Sequence, residues 1–405
     1  MNLLVINAGS SSVKYQLFSM PSGRVISSGL AERIGAENGG ITHKVYREGQ
    51  EQVITKTAGM PDHQAALVAV TRLLTDPLTG VIPDPDEIQV VGHRVVHGGE
   101  SFAATTIITE AVKKEIERLF SLAPLHNPAN LLGIAVAEKI FAKATQVAVF
   151  DTAFHQTLPE KAFRYAIPRN FYEQHRIRVY GFHGTSHQYV SRKAAQYLGN
   201  SRARIITIHL GNGCSMAAVA GGKSLDTSMG FGPLNGLIMG TRSGDIDPSV
   251  LFYLVNEAGY ELPEVNTILN KRSGMAGLTG SSDMRDIGKA VENGNAQARL
   301  AGEMYAYRIK KYIGAYAAVL NGVEAVVFTA GVGENDSRIR ELACEGLDFL
   351  GIRLDREKNQ SPSRELREIN TAASRVKVLV IPTNEELEIA RQCYQLVTGQ
   401  SDSVA

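Results

Sequence analysis

Only three cysteines occur in the 405 residues, Cys214, Cys344 and Cys393, and none belongs to a Cys-x-x-Cys pair. A widely spaced, odd-numbered set fits a reducing compartment better than a disulfide framework, so free thiols are expected. An excess of either charge is missing too: 42 Lys and Arg stand against 41 Asp and Glu, a net charge of +1. A chain so balanced has no bulk attraction for nucleic acid or an acidic membrane surface, and any anion must be met by local groups. No run of 18 apolar residues is present, and the N-terminus enters an apolar strand with no basic stretch ahead of it. Neither a spanning helix nor a signal peptide is expected, and the reading is cytoplasmic. GxGxxG, GxxxxGK[ST] and the protein-kinase signatures are also absent, which removes the Rossmann, P-loop and protein-kinase readings. His93, His97, His155 and His187 match no zinc spacing and stay unassigned.

What is present is an alternation of strands and helices. The length suggests two domains of ordinary size. Leu3 to Ile6 is a branched apolar run ended by Asn-Ala-Gly, and Val13 to Phe18 resumes an extended pattern, which reads as a hairpin. The device recurs where Ile205 to Ile208 is broken by Leu-Gly-Asn-Gly and followed by Ser215 to Val219. Gln89 to Val96, Gln146 to Phe150, Ala325 to Thr329 and Val376 to Ile381 read as buried strands. Helices are expected around Val112 to Phe120 and from Pro128 to Phe141, giving an α/β fold. Arg356 to Arg375 reads as a surface excursion. A boundary falls near Phe150, and the helix from about Asn384 is expected to return to the first domain.

Several turns carry groups suited to anions. Asn7-Ala-Gly-Ser-Ser-Ser-Val-Lys14 sets hydroxyls, amides and one amine in a turn after a strand, and His209-Leu-Gly-Asn-Gly213 repeats the form, while a plain hairpin turn remains the alternative for each. Gly331-Val-Gly-Glu-Asn335 reads as a loop between a strand and a helix that allows close backbone approach, with a plain tight strand-to-helix connection as the alternative. Arg94 and Asp151 stand at strand ends, where α/β proteins build sites, and Arg242 lies in a glycine-flanked loop. A guanidinium can grip a carboxylate or phosphoryl group through two parallel bonds. Asp245 and Asp247 read as caps for the helix after Pro248.

These motifs, with Gly92-His-Arg-Val-Val-His-Gly-Gly99, Pro124-Leu-His-Asn-Pro128, Asp226-Thr-Ser-Met-Gly230, Gly240-Thr-Arg-Ser-Gly-Asp-Ile-Asp-Pro248 and Pro382-Thr-Asn-Glu-Glu386, resemble the acetate kinase family of the acetate and sugar kinase, Hsp70 and actin superfamily. The resemblance runs from Met1 to about Val397. It implies two ribonuclease-H-like, actin-like ATPase domains around a nucleotide cleft: an N-terminal domain over 1–150 to which a helix at 384–398 returns, and a nucleotide-binding domain over 151–383. It also implies a homodimer and reversible in-line transfer of the ATP γ-phosphoryl group to acetate. A propionate or other short-chain carboxylate kinase is the nearest alternative. A non-catalytic actin-like ATP-binding protein is a second, disfavoured by the charged residues present.

Carried onto matching positions, the resemblance assigns Mg²⁺, with Mn²⁺ as a substitute, to Asn7 and Glu385. Ser10, Ser12 and Lys14 would face the phosphates, with His209, Leu210, Gly211, Asn212 and Gly213 as the opposite wall. Asp283, Met284 and Arg285 would contact the nucleoside, and Gly331, Val332, Gly333, Glu334 and Asn335 would let it lie against backbone. Arg94 and Arg242 would grip the carboxylate and the phosphoryl group, His183 would donate to an equatorial oxygen, and Asp151 would orient the arginines or manage a proton. The acyl pocket would be Val96, Leu125, Phe182 and Pro233; Val96 follows Arg94 by two positions, so on one strand both would share a face. Gly232, Asn235 and Cys214 depart from the family pattern, which expects Thr, Glu and Gly.

Overall fold

In the computed structural model, residues 1–57 and 59–400 are described. They divide into two compact units, one from Met1 to Ala153 with the C-terminal segment from Asn384, the other from Phe154 to Thr383.

The first unit is organised by β1 (Asn2–Ala8), whose apolar residues alternate between two cores. Leu4, Ile6 and Ala8 pack with Val13, Tyr15 and Leu17, whereas Leu3 and Val5 pack with Phe18, Val90, Ile389 and Cys393. A continuous apolar run is what a strand covered on both faces requires, and each fully buried Leu or Ile contributes about 1.5–3 kcal/mol. The other strands are β2 (Ser12–Ser19), β3 (Arg24–Glu32), β4 (Gly40–Arg47), β5 (Gln50–Thr57), β6 (Ile88–Val95), β7 (Thr106–Ile107) and β8 (Thr145–Phe150), in the order β5-β4-β3-β2-β1-β6-β8-β7. β1 and β2 form an antiparallel hairpin with Asn7 opposite Lys14, while β1, β6 and β8 run parallel. The C-terminal helix Glu385–Thr398 packs on these three parallel strands. Gly92 permits the approach, since a Cβ there would lie 2.8 Å from the Cys393 sulfur.

The second unit holds β9 (Arg204–Leu210), β10 (Cys214–Ala220), β11 (Lys223–Thr227), β12 (Ala325–Thr329), β13 (Arg367–Glu368) and β14 (Lys377–Val380), ordered β11-β10-β9-β12-β14-β13. The helices Gly184–Leu198 and Ala296–Val319 pack against it. The series β3-β2-β1-β6-β8 and β11-β10-β9-β12-β14 have the same order and directions, antiparallel through the hairpin and parallel beyond it. The hairpin seen twice in the sequence therefore belongs to one five-stranded plan used twice.

Three local expectations change. β6 stops at Val95, so Val96 sits in a bend beyond the strand and alternation no longer decides where it points. Residues 330–335 are a short helix, Ala330–Asn335, and not an open loop. Within 356–375 the chain forms the helix Arg356–Gln360 and β13, anchored by buried Asn359, Ile369 and Asn370. All three cysteines are free and buried. Among the described residues no helix is long and apolar enough to cross a membrane.

Candidate active site

In the first unit the C-terminal ends of the three parallel strands bring together Asn7, Arg94 and Asp151. Arg94 Nε donates to Asp151 Oδ1 at 2.9 Å and Nη2 to Oδ2 at 2.6 Å, a two-pronged pair; Nη1 approaches Asn7 Oδ1 at 3.5 Å. Asp151 is only 1% exposed, and its amide donates to the Val95 carbonyl. Burial alone would lower the Arg94 pKa, but Asp151 first, then Glu385 and Glu386, outweigh it and hold the guanidinium charged. Lys14 is ion-paired with Glu386.

Glu385 opens the C-terminal helix, capped by Asn384. Burial raises its pKa; Arg94 opposes, Asp151 and Glu386 add to the rise, and Lys14 opposes. A carboxylate crowded in this way gains from a cation, and the donors at hand are all oxygens, the hard ligands that suit Mg²⁺. Among the described residues no three His, Cys, Asp or Glu side chains cluster as a metal cage. One or two protein ligands, with water completing the shell, fit these residues.

The strand ends are held by one helix, Asn127–Ile140. Asn130 Nδ2 donates to the Ala8 carbonyl and its Oδ1 accepts from Val96 N–H, at 2.8 and 3.0 Å. Asn127 binds both sides of His97, accepting from its amide and donating to its carbonyl. His63 bonds the Gly9 carbonyl at 2.7 Å. Asn127 and Asn130 lie within and just past a motif that carried the resemblance, yet only the fold shows that they tie the ends of β1 and β6 together. Ser10 is exposed in the turn and Ser12 is half-buried.

In the second unit the turn between β9 and β10 closes with Gly211 N–H donating to the Gly213 carbonyl at 3.0 Å. His183 precedes the helix Gly184–Leu198 with φ +56°, a costly backbone for a residue with a Cβ. Its ring stacks on that of His209, with centroids 4.3 Å apart. Its Nδ1 lies 2.8 Å from Ser215 Oγ, which also meets His187 Nε2 at 2.7 Å. These bonds aim the opposite edge of the ring at the turn: a Cβ added at Gly213 would fall 3.3 Å from His183 Nε2 and 3.7 Å from Arg242 Nη1. Arg242 Nη1 donates to the Pro233 carbonyl at 3.1 Å. Burial lowers its pKa, and among the described residues no carboxylate pairs with it. A half-buried, unneutralised guanidinium beside a ring nitrogen and a glycine turn is a place for an anion.

Next to the turn opens a cavity of about 950 Å³, within the range of small-molecule sites. Gly211, Asn212, Asp283, Met284, Arg285, Gly331, Val332 and Asn335 line it with Gly240, and so do Met275, Gly288, Tyr305 and Arg338, which the sequence did not single out. Asp283 caps the helix Met284–Glu292 and pairs with Arg285. His209, Leu210, Gly213, Gly333 and Glu334 do not line it. Glu334 turns its carboxylate onto backbone, accepting from Ala330 N–H at 2.9 Å and Thr383 N–H at 3.1 Å, while buried Arg340 donates to the Gly333 carbonyl.

Phe182 is buried, and its carbonyl is 3.0 Å from His155 Nε2; Leu125 is 66% exposed. The unassigned histidines are internal: His93 bonds Gln146, His97 accepts from Gly99 N–H, His155 meets Ser224, and His187 links Thr207 to Ser215. Cys214 Sγ fills space between Tyr305 Oη and the Gly211 carbonyl, and burial pushes its pKa up to about 12. Asp247 caps the helix Pro248–Asn256 as expected, whereas Asp245 does not.

The Acetokinase family model matches residues 2–391. The acetate kinase of Flavobacterium johnsoniae is 59% identical over 397 residues, 98% of this chain and 100% of that one. The acetate kinase of Thermotoga petrophila is 54% identical over 402 residues, covering 98% and 99%. Among solved structures, Porphyromonas gingivalis acetate kinase superposes with a TM-score of 0.92 at 46% identity, covering 98% of this chain and 99% of that one. A propionate kinase from Francisella tularensis gives 0.90 at 41%, covering 97% and 99%. The doubled strand plan is thus the paired actin-like architecture. Matched from its first strand into its last helix, with full-length relatives at more than half identity, this chain belongs to the Acetokinase family.

Proposed function

We propose that this chain is an acetate kinase, transferring the γ-phosphoryl group of ATP to acetate, reversibly, to give acetyl phosphate and ADP. The observation that carries the reading is the convergence of His183 Nε2 and Arg242 Nη1 on Gly213, in the turn whose Gly211 and Asn212 line the nucleotide-sized cavity. The relatives named acetate kinase support the acceptor.

In this reading Arg242 and His183 meet the charge of the phosphoryl group in flight. A loose transition state asks for positioning and positive charge more than covalent help. Arg94 receives the acetate carboxylate, and Asp151 orients Arg94. No base is needed, because a carboxylate nucleophile is already ionised at neutral pH. The turn from Ser10 to Ser12 and Lys14 serves the phosphates, and Val96, Leu125, Phe182 and Pro233 bound the methyl group. Asn7 and Glu385 would hold Mg²⁺, or Mn²⁺ in its place, which when bound supplies neutralising charge to the phosphate oxygens. A homodimer is part of the proposal: the helix Pro248–Asn256 buries none of its residues and leaves Phe252 67% and Tyr253 64% exposed. A cytoplasmic setting agrees with the three free, buried thiols.

The test is a hydroxamate assay with acetate, propionate and butyrate, each with ATP, GTP and pyrophosphate. The highest kcat/KM is expected for acetate with ATP. A clear preference for propionate or for another phosphoryl donor overturns that part of the reading.

A further inference from the structure

Asp245 looks in the sequence like a helix cap, but Asp247 performs that task, accepting from Ser249 N–H at 2.8 Å. Asp245 is committed elsewhere. Its Oδ1 accepts from Gly236 N–H at 2.7 Å and from Asn235 Nδ2 at 3.2 Å, and its Oδ2 accepts from the Tyr312 hydroxyl at 2.8 Å with Arg308 at 3.6 Å. Its own amide donates to the Gly236 carbonyl at 3.0 Å, which also accepts from Arg308 Nη1 at 2.8 Å. Gly236 and Asp245 therefore form the neck of a loop, and Arg242 is carried between them.

The neck matters for Arg242 because both residues hold one short segment. Arg242 Nη1 donates to the Pro233 carbonyl, and Asp245 receives Asn235 and Gly236, two and three residues further on. The loop has little freedom of its own. Leu237 and Met239 are fully buried, Met239 N–H donates to the Arg242 carbonyl, and Gly236 and Gly244 have φ of +97° and +70°. Resting on the reading that Arg242 serves phosphoryl transfer, we propose that Asp245 is a positioning residue for the reaction: by holding Asn235 and Gly236 it fixes the segment on which the Arg242 guanidinium rests, and so keeps that guanidinium beside Gly213.

A double-mutant cycle separates this from a stabilising role. Asp245→Ala and Asp245→Asn are made in the wild-type chain and in Arg242→Ala, with folding checked by thermal melts. Arg242→Ala alone should lower kcat on the order of 10³-fold. Asp245→Ala should lower kcat on the order of 10²-fold, the cost of a catalytic group displaced by about 1 Å, with KM for ATP within about threefold of wild type. Asp245→Asn keeps an acceptor for Gly236 and should lose roughly tenfold, less than the alanine variant. In the Arg242→Ala background neither substitution should lower kcat further. Losses that multiply in the double variants overturn the inference, as does a folded Asp245→Ala enzyme of wild-type kcat. If the alanine variant does not fold, the asparagine cycle decides by the same rule. Near-normal turnover of Arg242→Ala instead overturns the reading of Arg242 itself.

Discussion

Arg94 and Asp151 leave the ends of neighbouring parallel strands and meet in a two-pronged pair at 2.9 and 2.6 Å. The aspartate accepts from the arginine through both oxygens, and in the proposed reading it serves to aim that guanidinium.

Asp151→Asn is accordingly expected to raise KM for acetate and to lower kcat, with the pH dependence of kcat between about pH 6 and 9 unchanged in shape, because acetate is ionised throughout. Steady-state kinetics across that range checks it. A new titration limb that appears only in the wild type would assign Asp151 a proton-transfer role.

Gly213 has no Cβ where one would stand 3.3 Å from His183 Nε2 and 3.7 Å from Arg242 Nη1. Gly213→Ala should make the His183 ring give way by a few tenths of an ångström, while its contact with Arg242 stays an ordinary one, and should lower kcat by up to roughly 10-fold. Its melting temperature should remain close to wild type, since the turn is at the unit's edge. Unchanged kcat would show that the place of the His183 ring beside the turn does not matter to the reaction.

Removing the carboxylate of Glu385 tests the metal assignment. Glu385→Ala should raise the Mg²⁺ concentration needed for half-maximal rate at saturating ATP. An unchanged magnesium titration would transfer the ligand role to Glu386 or Asp151.

Burial pulls the pKa values of His93, His97 and His155 down to about 4, and that of His187 well below its ordinary value. Unfolded, these rings bind protons near pH 6.5, so the unfolded chain gains protons first as pH falls. Stability should be full above about pH 6.5 and drop steadily toward pH 4. Thermal melts at pH 7.5, 6 and 5 measure this, and a melting temperature that stays level or rises on acidification contradicts it.

Much of the fold is legible locally, because strands covered on both faces must be apolar runs, as in β1, β8 and β12. Arg94, Asp151 and Arg242 stand out as charges at strand ends or between glycines. What escaped detection depends on distant partners. Asp245 looks locally like a cap for the helix three residues on, but it is engaged by Arg308 and Tyr312, more than 60 positions away on a long helix. Asn130 has no local mark, since its partners Ala8 and Val96 belong to two different strand ends. Val96 shares a face with Arg94 only if β6 continues one residue past Val95, and a single residue is enough to void alternation. Glu334, grouped with the cavity by its neighbours, folds back onto Ala330 and Thr383.

In the proposed reaction acetate is the acceptor of the ATP γ-phosphoryl group. It is tested most directly by following the purified chain with Mg-ATP and acetate by ³¹P NMR, alongside kcat/KM for acetate and propionate. Acetyl phosphate and ADP should appear in equal amounts. Acetate should be preferred by a modest margin, since Gly232 leaves open space where a side chain would stand and one methylene is worth about 1–3 kcal/mol. Release of inorganic phosphate without an acyl phosphate, or a higher kcat/KM for propionate, would contradict it.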